Sequence, residues 1–161
     1  EFDTRGRYEF RTLWRNCFLA GARVKRFWRD ILLGNEQVKV NQLLTRHLGF
    51  WEKFIGELEE KWQKGEKFDE RDKRRLHAYV LPARASFEWA LVLNADKDSE
   101  VYWDLQRTSE APELPNVTSC DPCKELAAKS PMKISAITFV PAEGFTPCLA
   151  RCTCHVRIKE P

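Results

Sequence analysis

No apolar run in this sequence approaches the roughly 20 residues that a membrane-spanning helix requires, and no signal-peptide pattern opens it. We therefore expect no membrane role. The formal net charge is only +3 over 161 residues, too small for nucleic-acid affinity to organise the whole chain. Glycine is scarce: there are seven, and only Gly144 lies beyond residue 65. None of the eight prolines precedes Pro82. With no proline before residue 82, the first ninety-odd residues can sustain long helices, while the proline-bearing remainder reads as irregular. Internal repeats, low-complexity tracts, a Ser/His/Asp set, a phosphate-binding loop and paired catalytic carboxylates are all lacking. We read the chain as non-enzymatic. It begins Glu1-Phe2 and holds a single Met, which reads as a fragment of something longer.

Apolar residues make up 43% of the chain and aromatics 12%, with six Trp and ten Phe. That excludes wholesale disorder and implies a substantial core or a buried partner surface. Charge is uneven: residues 1–29 hold eight Arg/Lys against three Asp/Glu. A solvated helix face accounts for this, and contact with a phosphate backbone or an acidic partner is the alternative.

Three stretches show helical periodicity. In the first, roughly residues 8–33, Phe10, Leu13, Trp14, Cys17, Phe18, Val24, Phe27, Trp28, Ile31 and Leu32 form one stripe, and Gly34 suits a C-terminal cap. In the second, roughly 37–64, the stripe runs Val40, Leu43, Leu44, His47, Leu48, Trp51, Phe54, Ile55, Leu58 and Trp62, closed by Gly65. Gly49 and Gly56 lie seven residues apart and predict a close helix approach. The third, roughly 69–93, opens on Asp69 as N-cap and carries Leu76, Tyr79, Val80, Ala83, Phe87, Ala90 and Leu91. Pro82 predicts a kink near Tyr79, and Asn94 a cap. His47 and His77 sit on these patterns. A histidine on an apolar stripe is most simply a hydrogen-bonded core residue.

Residues 95–100 read as a turn, Val101–Gln106 as a short strand, 108–119 as a Pro-containing loop, Cys123–Lys129 as one or two helical turns, and Cys154–Lys159 as a final strand with Val156 and Ile158 inward. The fold class expected is mainly α: an antiparallel helical bundle over 1–96, then a small α+β, zinc-knuckle-like segment over 97–161.

Five of the six cysteines fall between Cys120 and Cys154. Cys120-Asp121-Pro122-Cys123 is a C-x2-C pair, and Cys148, Cys152, Cys154 and His155 follow 25 or more residues later. Two such turns from separate segments can supply the four soft ligands of a structural zinc site. Five thiols and an imidazole exceed four positions, so one or two are spare. The expected set is Cys120, Cys123 and two of Cys148, Cys152 and Cys154. Disulfides between the two groups are the alternative, and a C-x-P-C redox pair is a weaker one, because a polar loop rather than a buried strand precedes it. Asp121 and Glu125 belong to no catalytic-zinc signature.

The stretches Val101-Tyr102-Trp103, Ser119-Cys120-Asp121-Pro122-Cys123-Lys124-Glu125-Leu126-Ala127, Ser130-Pro131-Met132, Gly144-Phe145-Thr146-Pro147-Cys148-Leu149 and Cys152-Thr153-Cys154-His155 together resemble the end of the phage minor head proteins of the Mu-type head morphogenesis family. The resemblance covers about the last 60 residues and none of the first 95. The family's His before the closing C-x-C has no counterpart. Cys148 lies near that place, one residue further away, as a candidate replacement ligand. The resemblance implies a structural virion protein acting in head assembly near the portal vertex, located in the capsid and, during assembly, in the host cytoplasm. Portal or capsid proteins are the partners implied, and homo-oligomers are an option. A zinc-containing nucleic-acid-binding protein, touching DNA through the basic first helix, is the competing reading.

Overall fold

In the computed structural model, residues 2–25, 31–105, 119–145 and 154–161 are described. Helix α1 spans Phe2–Lys25. Its Phe10, Trp14, Phe18 and Ala22, four residues apart, are all at most 2% exposed, the spacing that stacks side chains on one helix face. The expected continuation to residue 33 does not hold, because Ile31 to Leu33 lie outside any helix. Val24 and Ile31, placed on the buried stripe by periodicity, are 62% and 67% exposed. Phe27 and Trp28 lie outside the described residues.

Helix α2 spans Gly34–Gln63. Gly34 thus opens a helix instead of closing one. The entry is held by buried Glu36, whose Oε2 accepts the Leu33 N–H at 2.7 Å and whose Oε1 accepts Asn94 Nδ2–H at 3.0 Å. One carboxylate therefore ties the start of α2 to Asn94, 58 residues further on. Val40, Leu43, Leu44, Trp51, Phe54 and Ile55 are buried as expected, while Trp62 is 75% exposed. Gly65, at φ +70°, ends the helix in the left-handed conformation that glycine adopts without penalty.

Asp69 caps α3 (Glu70–Val80): its Oδ1 accepts the N–H groups of Arg71 at 2.7 Å and Asp72 at 2.9 Å. Asp72 Oδ2 returns the bond to the Asp69 N–H at 3.1 Å and pairs with Lys61 Nζ at 2.7 Å. This is a reciprocal capping arrangement. Leu76, expected in the core, is 40% exposed, and the side chains of His77 and Val80 lie outside the described residues. Pro82 does more than kink the helix. A 3-10 turn, Leu81–Ala83, separates α3 from α4 (Arg84–Leu93), as expected where proline removes a backbone donor.

Gly21, not Gly49 or Gly56, is the close-approach glycine. A Cβ on Gly21 would lie 2.5 Å from the Phe87 carbonyl oxygen and 2.9 Å from Ala90 Cβ. Nothing lies within 4 Å of a Cβ at Gly49 or Gly56. An aromatic seam joins α1, α2 and α3: Phe10 stacks on Trp51 with ring centres 4.7 Å apart, and Phe54 on Tyr79 at 5.0 Å.

Beyond α4 the chain forms a three-stranded antiparallel sheet in the order β2-β1-β3. Its strands are β1 (Glu100–Asp104), β2 (Met132–Lys133) and β3 (His155–Lys159). Trp103 pairs with Val156 and Asp104 with His155. Val101, Trp103 and Val156 are 0%, 2% and 3% exposed, so alternation sends them to the inner face. They belong to the same hydrophobic cluster as Trp14, Phe54 and Trp89. Helix α5 spans Asp121–Ala128. The fold is mainly helical with a small antiparallel sheet. No helix among the described residues is long and apolar enough to cross a membrane.

Candidate metal centre

Three of the five candidate ligands, Cys120, Cys123 and Cys154, fall in described segments. Cys148 and Cys152 lie outside them. Cys120 is the N-cap of α5, in extended backbone, and Pro122 occupies the first turn, where its fixed φ suits a helix start and its missing N–H costs nothing. Cys123 is 0% exposed and Cys154 is 2% exposed. Cys154 lies immediately before β3, and its Sγ is 3.7 Å from Ser119 Oγ as hydrogen-bond donor. Ser119, just ahead of α5, thus meets Cys154 at the head of β3.

Two anchors hold these segments in place. Ser130 Oγ accepts the Trp103 N–H at 2.8 Å and donates to Leu126 O at 3.2 Å, which docks the end of α5 on β1. From α4, Arg84 Nη2 donates to the Cys154 carbonyl oxygen, and Glu88 Oε2 accepts the Val156 N–H at 3.0 Å. Arg84 and Glu88, one helical turn apart, pair with each other at 3.2 Å. They grip the backbone on both sides of His155. Burial pushes the Glu88 carboxyl above its ordinary range, against the hydrogen bond from Val156 and the charge of Arg84. His155 itself is exposed, with Nε2 3.6 Å from Asp104 Oδ2, on the opposite face of β3 from Cys154 and Val156.

Thiolate sulfur is the donor chemistry that zinc prefers in structural sites, and Cys120, Cys123 and Cys154 are free thiols. Among the described residues, no group of three or more His, Cys, Asp and Glu has a metal-holding arrangement. Cys17 stands apart on α1, packed against the helical core, where burial raises its thiol above the ordinary value.

His47 is half-buried on the expected stripe. Its Nε2 has no partner among the described residues, nor do Trp14 Nε1 and Trp51 Nε1. The imidazole packs instead on Trp14, with ring centres 5.1 Å apart. Burial, followed by the nearby charge of Arg46, lowers its pKa to about 4.

Sequence reasoning missed the buried carboxylates. Glu143 is 2% exposed. Its Oε2 accepts Trp89 Nε1–H at 2.7 Å and the Val140 N–H at 3.1 Å, and its Oε1 lies 3.6 Å from Lys39 Nζ and 3.5 Å from Arg46 Nη1. Nothing local in Pro141-Ala142-Glu143-Gly144 announces this, because every side-chain partner is distant in sequence. For Glu88, the four-residue offset from Arg84 was the available signal. On the surface, a cleft of about 400 Å3 is lined by Leu58, Glu59, Trp62 and Phe68.

Compared with known proteins, the chain matches no family model, no curated protein and no solved structure.

Proposed function

We propose that this chain is a structural, non-enzymatic component of a tailed-phage head, acting in assembly near the portal vertex. In this reading the helices form an antiparallel bundle, and the C-terminal segment is a small zinc-knuckle-like unit. The observation that carries it is the C-terminal signature: a Trp-bearing strand, the Cys120–Cys123 pair opening a short helix, and the closing Cys152-Thr153-Cys154-His155. The meeting of Ser119 with Cys154 beside the α5 N-cap supports it.

Zinc would be held by Cys120, Cys123 and two of Cys148, Cys152 and Cys154. It would supply folding free energy to a segment of short elements, as structural zinc does. The chain's own contribution is positioning: Arg84 and Glu88 fix the backbone around Cys154, and Ser130 fixes α5 against β1.

The partners proposed are portal or capsid proteins, or further copies of this chain, in the virion and, during assembly, in the host cytoplasm. Exposed aromatics support such contacts: Trp62 is 75% exposed, Phe50 63% and Phe68 44%. Trp62 and Phe68 line one surface cleft, and an exposed apolar patch of this kind marks an interaction site. The decisive experiment is co-purification of the full chain with the portal protein from assembling heads, with its position read from a map of the intact particle. Absence of the chain from purified heads would overturn the proposal.

A further inference from the structure

The end of α2 carries the cleft of about 400 Å3 lined by Leu58, Glu59, Trp62 and Phe68, a volume within the range of small binding pockets. Trp62 stands four residues after Leu58 and three after Glu59, so these three share one side of the helix. Phe68 comes from the connection between α2 and α3, which is pinned at both ends. Gly65 N–H donates to Trp62 O at 3.0 Å and Glu66 N–H to Lys61 O at 2.9 Å. Lys61 Nζ then pairs with Asp72 at 2.7 Å and with Asp69 at 3.5 Å, at the start of α3. The walls of the cleft are thus held by the fold before any guest arrives, which lowers the ordering cost of binding.

The groups that line it are uncommitted. Trp62 is 75% exposed and Phe68 44%. Elsewhere the fold supplies cations to its aromatic faces: Lys39 lies over Trp89, Arg46 over Phe145, Arg75 over Phe54 and Arg157 over Tyr102. Among the described residues no cation lies over Trp62 or Phe68, and neither ring stacks on another. Lys64 and Lys67, exposed and close to both rings in sequence, do not fill that role, and Lys61 is taken by Asp69 and Asp72. Glu59 is exposed and has no ion pair among the described residues.

We propose that this cleft receives an arginine side chain presented by another protein. A guanidinium stacks on aromatic faces and forks onto a carboxylate, and its apolar stem can lie along Leu58. A purely apolar guest would strip water from Glu59 and offer it no counter-charge, which is unfavourable. An acidic guest would meet that charge directly. Lysine is the poorer match, because its ammonium is more strongly hydrated and cannot stack flat on a ring. This rests on the reading of Trp62 and Phe68 as an interaction surface, and holds whether or not the partner is a portal or capsid protein.

The test is nuclear magnetic resonance on the isotope-labelled full chain, with the Trp62 indole N–H resonance identified from the Trp62→Phe variant. The probe is the peptide acetyl-Ala-Leu-Arg-Leu-Ala-amide, beside copies with citrulline, lysine or norleucine at the centre. The arginine peptide should move the Trp62 resonance to saturation. Citrulline keeps the shape without the charge and should bind about tenfold more weakly, the worth of a desolvated cation on an aromatic face. Lysine should fall between the two. Trp62→Ala should lose about tenfold, read at the backbone amides of residues 58–68, and Glu59→Gln about threefold, as for an exposed ion pair. Both side chains are exposed, so helicity and melting should be unchanged. Phe50→Ala removes an aromatic that is 63% exposed elsewhere on α2 and should bind as the unaltered chain does. Equal binding of the arginine, citrulline and norleucine peptides would make the cleft a plain apolar groove and overturn the proposal. So would the absence of any shift at millimolar peptide. Arginine methyl ester binding as tightly as the peptide would assign the cleft to a small cation, and self-association abolished by Trp62→Ala would assign it to a second copy; either would overturn it too. Failure in these titrations leaves co-purification with the portal protein untouched, so the two proposals fail separately.

Discussion

The indole N–H of Trp89 donates to the carboxylate of Glu143 at 2.7 Å, across 54 residues of sequence. Lys39 Nζ lies over the same indole ring, 3.5 Å from its centre, and 3.6 Å from Glu143 Oε1. Arg46 completes the arrangement, at 3.5 Å from Oε1 and with its guanidinium 4.3 Å from the centre of the Phe145 ring. One buried carboxylate thus binds the segment around residues 139–145 to both α2 and α4.

Glu143→Ala removes the acceptor for two buried N–H donors and the counter-charge of two cations. The expected cost is about 2–4 kcal/mol, the range for breaking a buried charged network by deleting one partner. Glu143→Gln keeps an acceptor for Trp89 and should cost about half as much. Denaturant melts followed by tryptophan fluorescence measure both. Equal and small effects would mean that the carboxylate is not a staple.

Gly21 separates α1 from α4 by the width of a missing methyl group. Gly21→Ala meets backbone at Phe87 and a methyl at Ala90, so the two helices must move apart. We expect a loss of about 1–3 kcal/mol or more, as for overpacking. Gly49→Ala and Gly56→Ala enter open space on a helix and should gain about 0.5–1 kcal/mol each. Chemical denaturation of the three variants gives the comparison. A neutral Gly21→Ala would show that α1 and α4 can be displaced at little cost.

His47 makes acid stability specific. Its pKa in the fold is about 4, below the unfolded value near 6.5, so the folded chain favours the neutral imidazole. The corresponding stability is fully present above about pH 6.5 and is lost as pH falls from there toward 4. The side chain is partly exposed, so the full shift is discounted for solvent screening, leaving on the order of 1–2 kcal/mol. Between pH 7 and 4.5, His47→Gln should therefore lose less melting temperature than the unaltered chain. Parallel pH profiles of the two would assign the effect elsewhere.

The contrast between Gly49 and Gly21 shows which features a sequence exposes. Periodicity, capping by Asp69, the stop at Gly65 and the alternation of β1 and β3 are written within a few residues, and each was legible. Helix proximity is not local. Gly49 and Gly56 matched a spacing rule, yet only the packing of α1 on α4 determines where a side chain cannot fit. Glu36, Glu88 and Glu143 look like surface acids because Asn94, Val156 and Trp89, the distant groups they bind, lie 58, 68 and 54 residues away. Gly34 was ambiguous for a related reason: a glycine between two helical stripes can end one or begin the next. At the candidate metal centre, the cysteine spacing named the segments, but the convergence of Ser119 with Cys154 depends on the pairing of β1 with β3.

The last prediction concerns Cys120, which caps α5. Serine is the better N-cap, so Cys120→Ser should leave the helix start intact or slightly improved, and any loss then reports the thiol. If zinc is held as proposed, the unaltered chain should carry one zinc per molecule and the variant less, measured by elemental analysis under reducing conditions. The metal would contribute on the order of 10 kcal/mol in an isolated finger, and the segment after α4 has short strands and one short helix to replace it. Residues beyond about 100 should therefore become protease-sensitive. Helicity should largely persist, because the seam of Phe10 on Trp51 and Phe54 on Tyr79 lies within α1–α3. A variant that keeps its zinc and its protease resistance would remove Cys120 from the ligand set. Loss of helices and sheet in one cooperative step would show that the shared core, from Trp14 through Trp89 to Val156, stands or falls with the metal. A metal-free chain with paired disulfides at these cysteines would sink the zinc proposal itself.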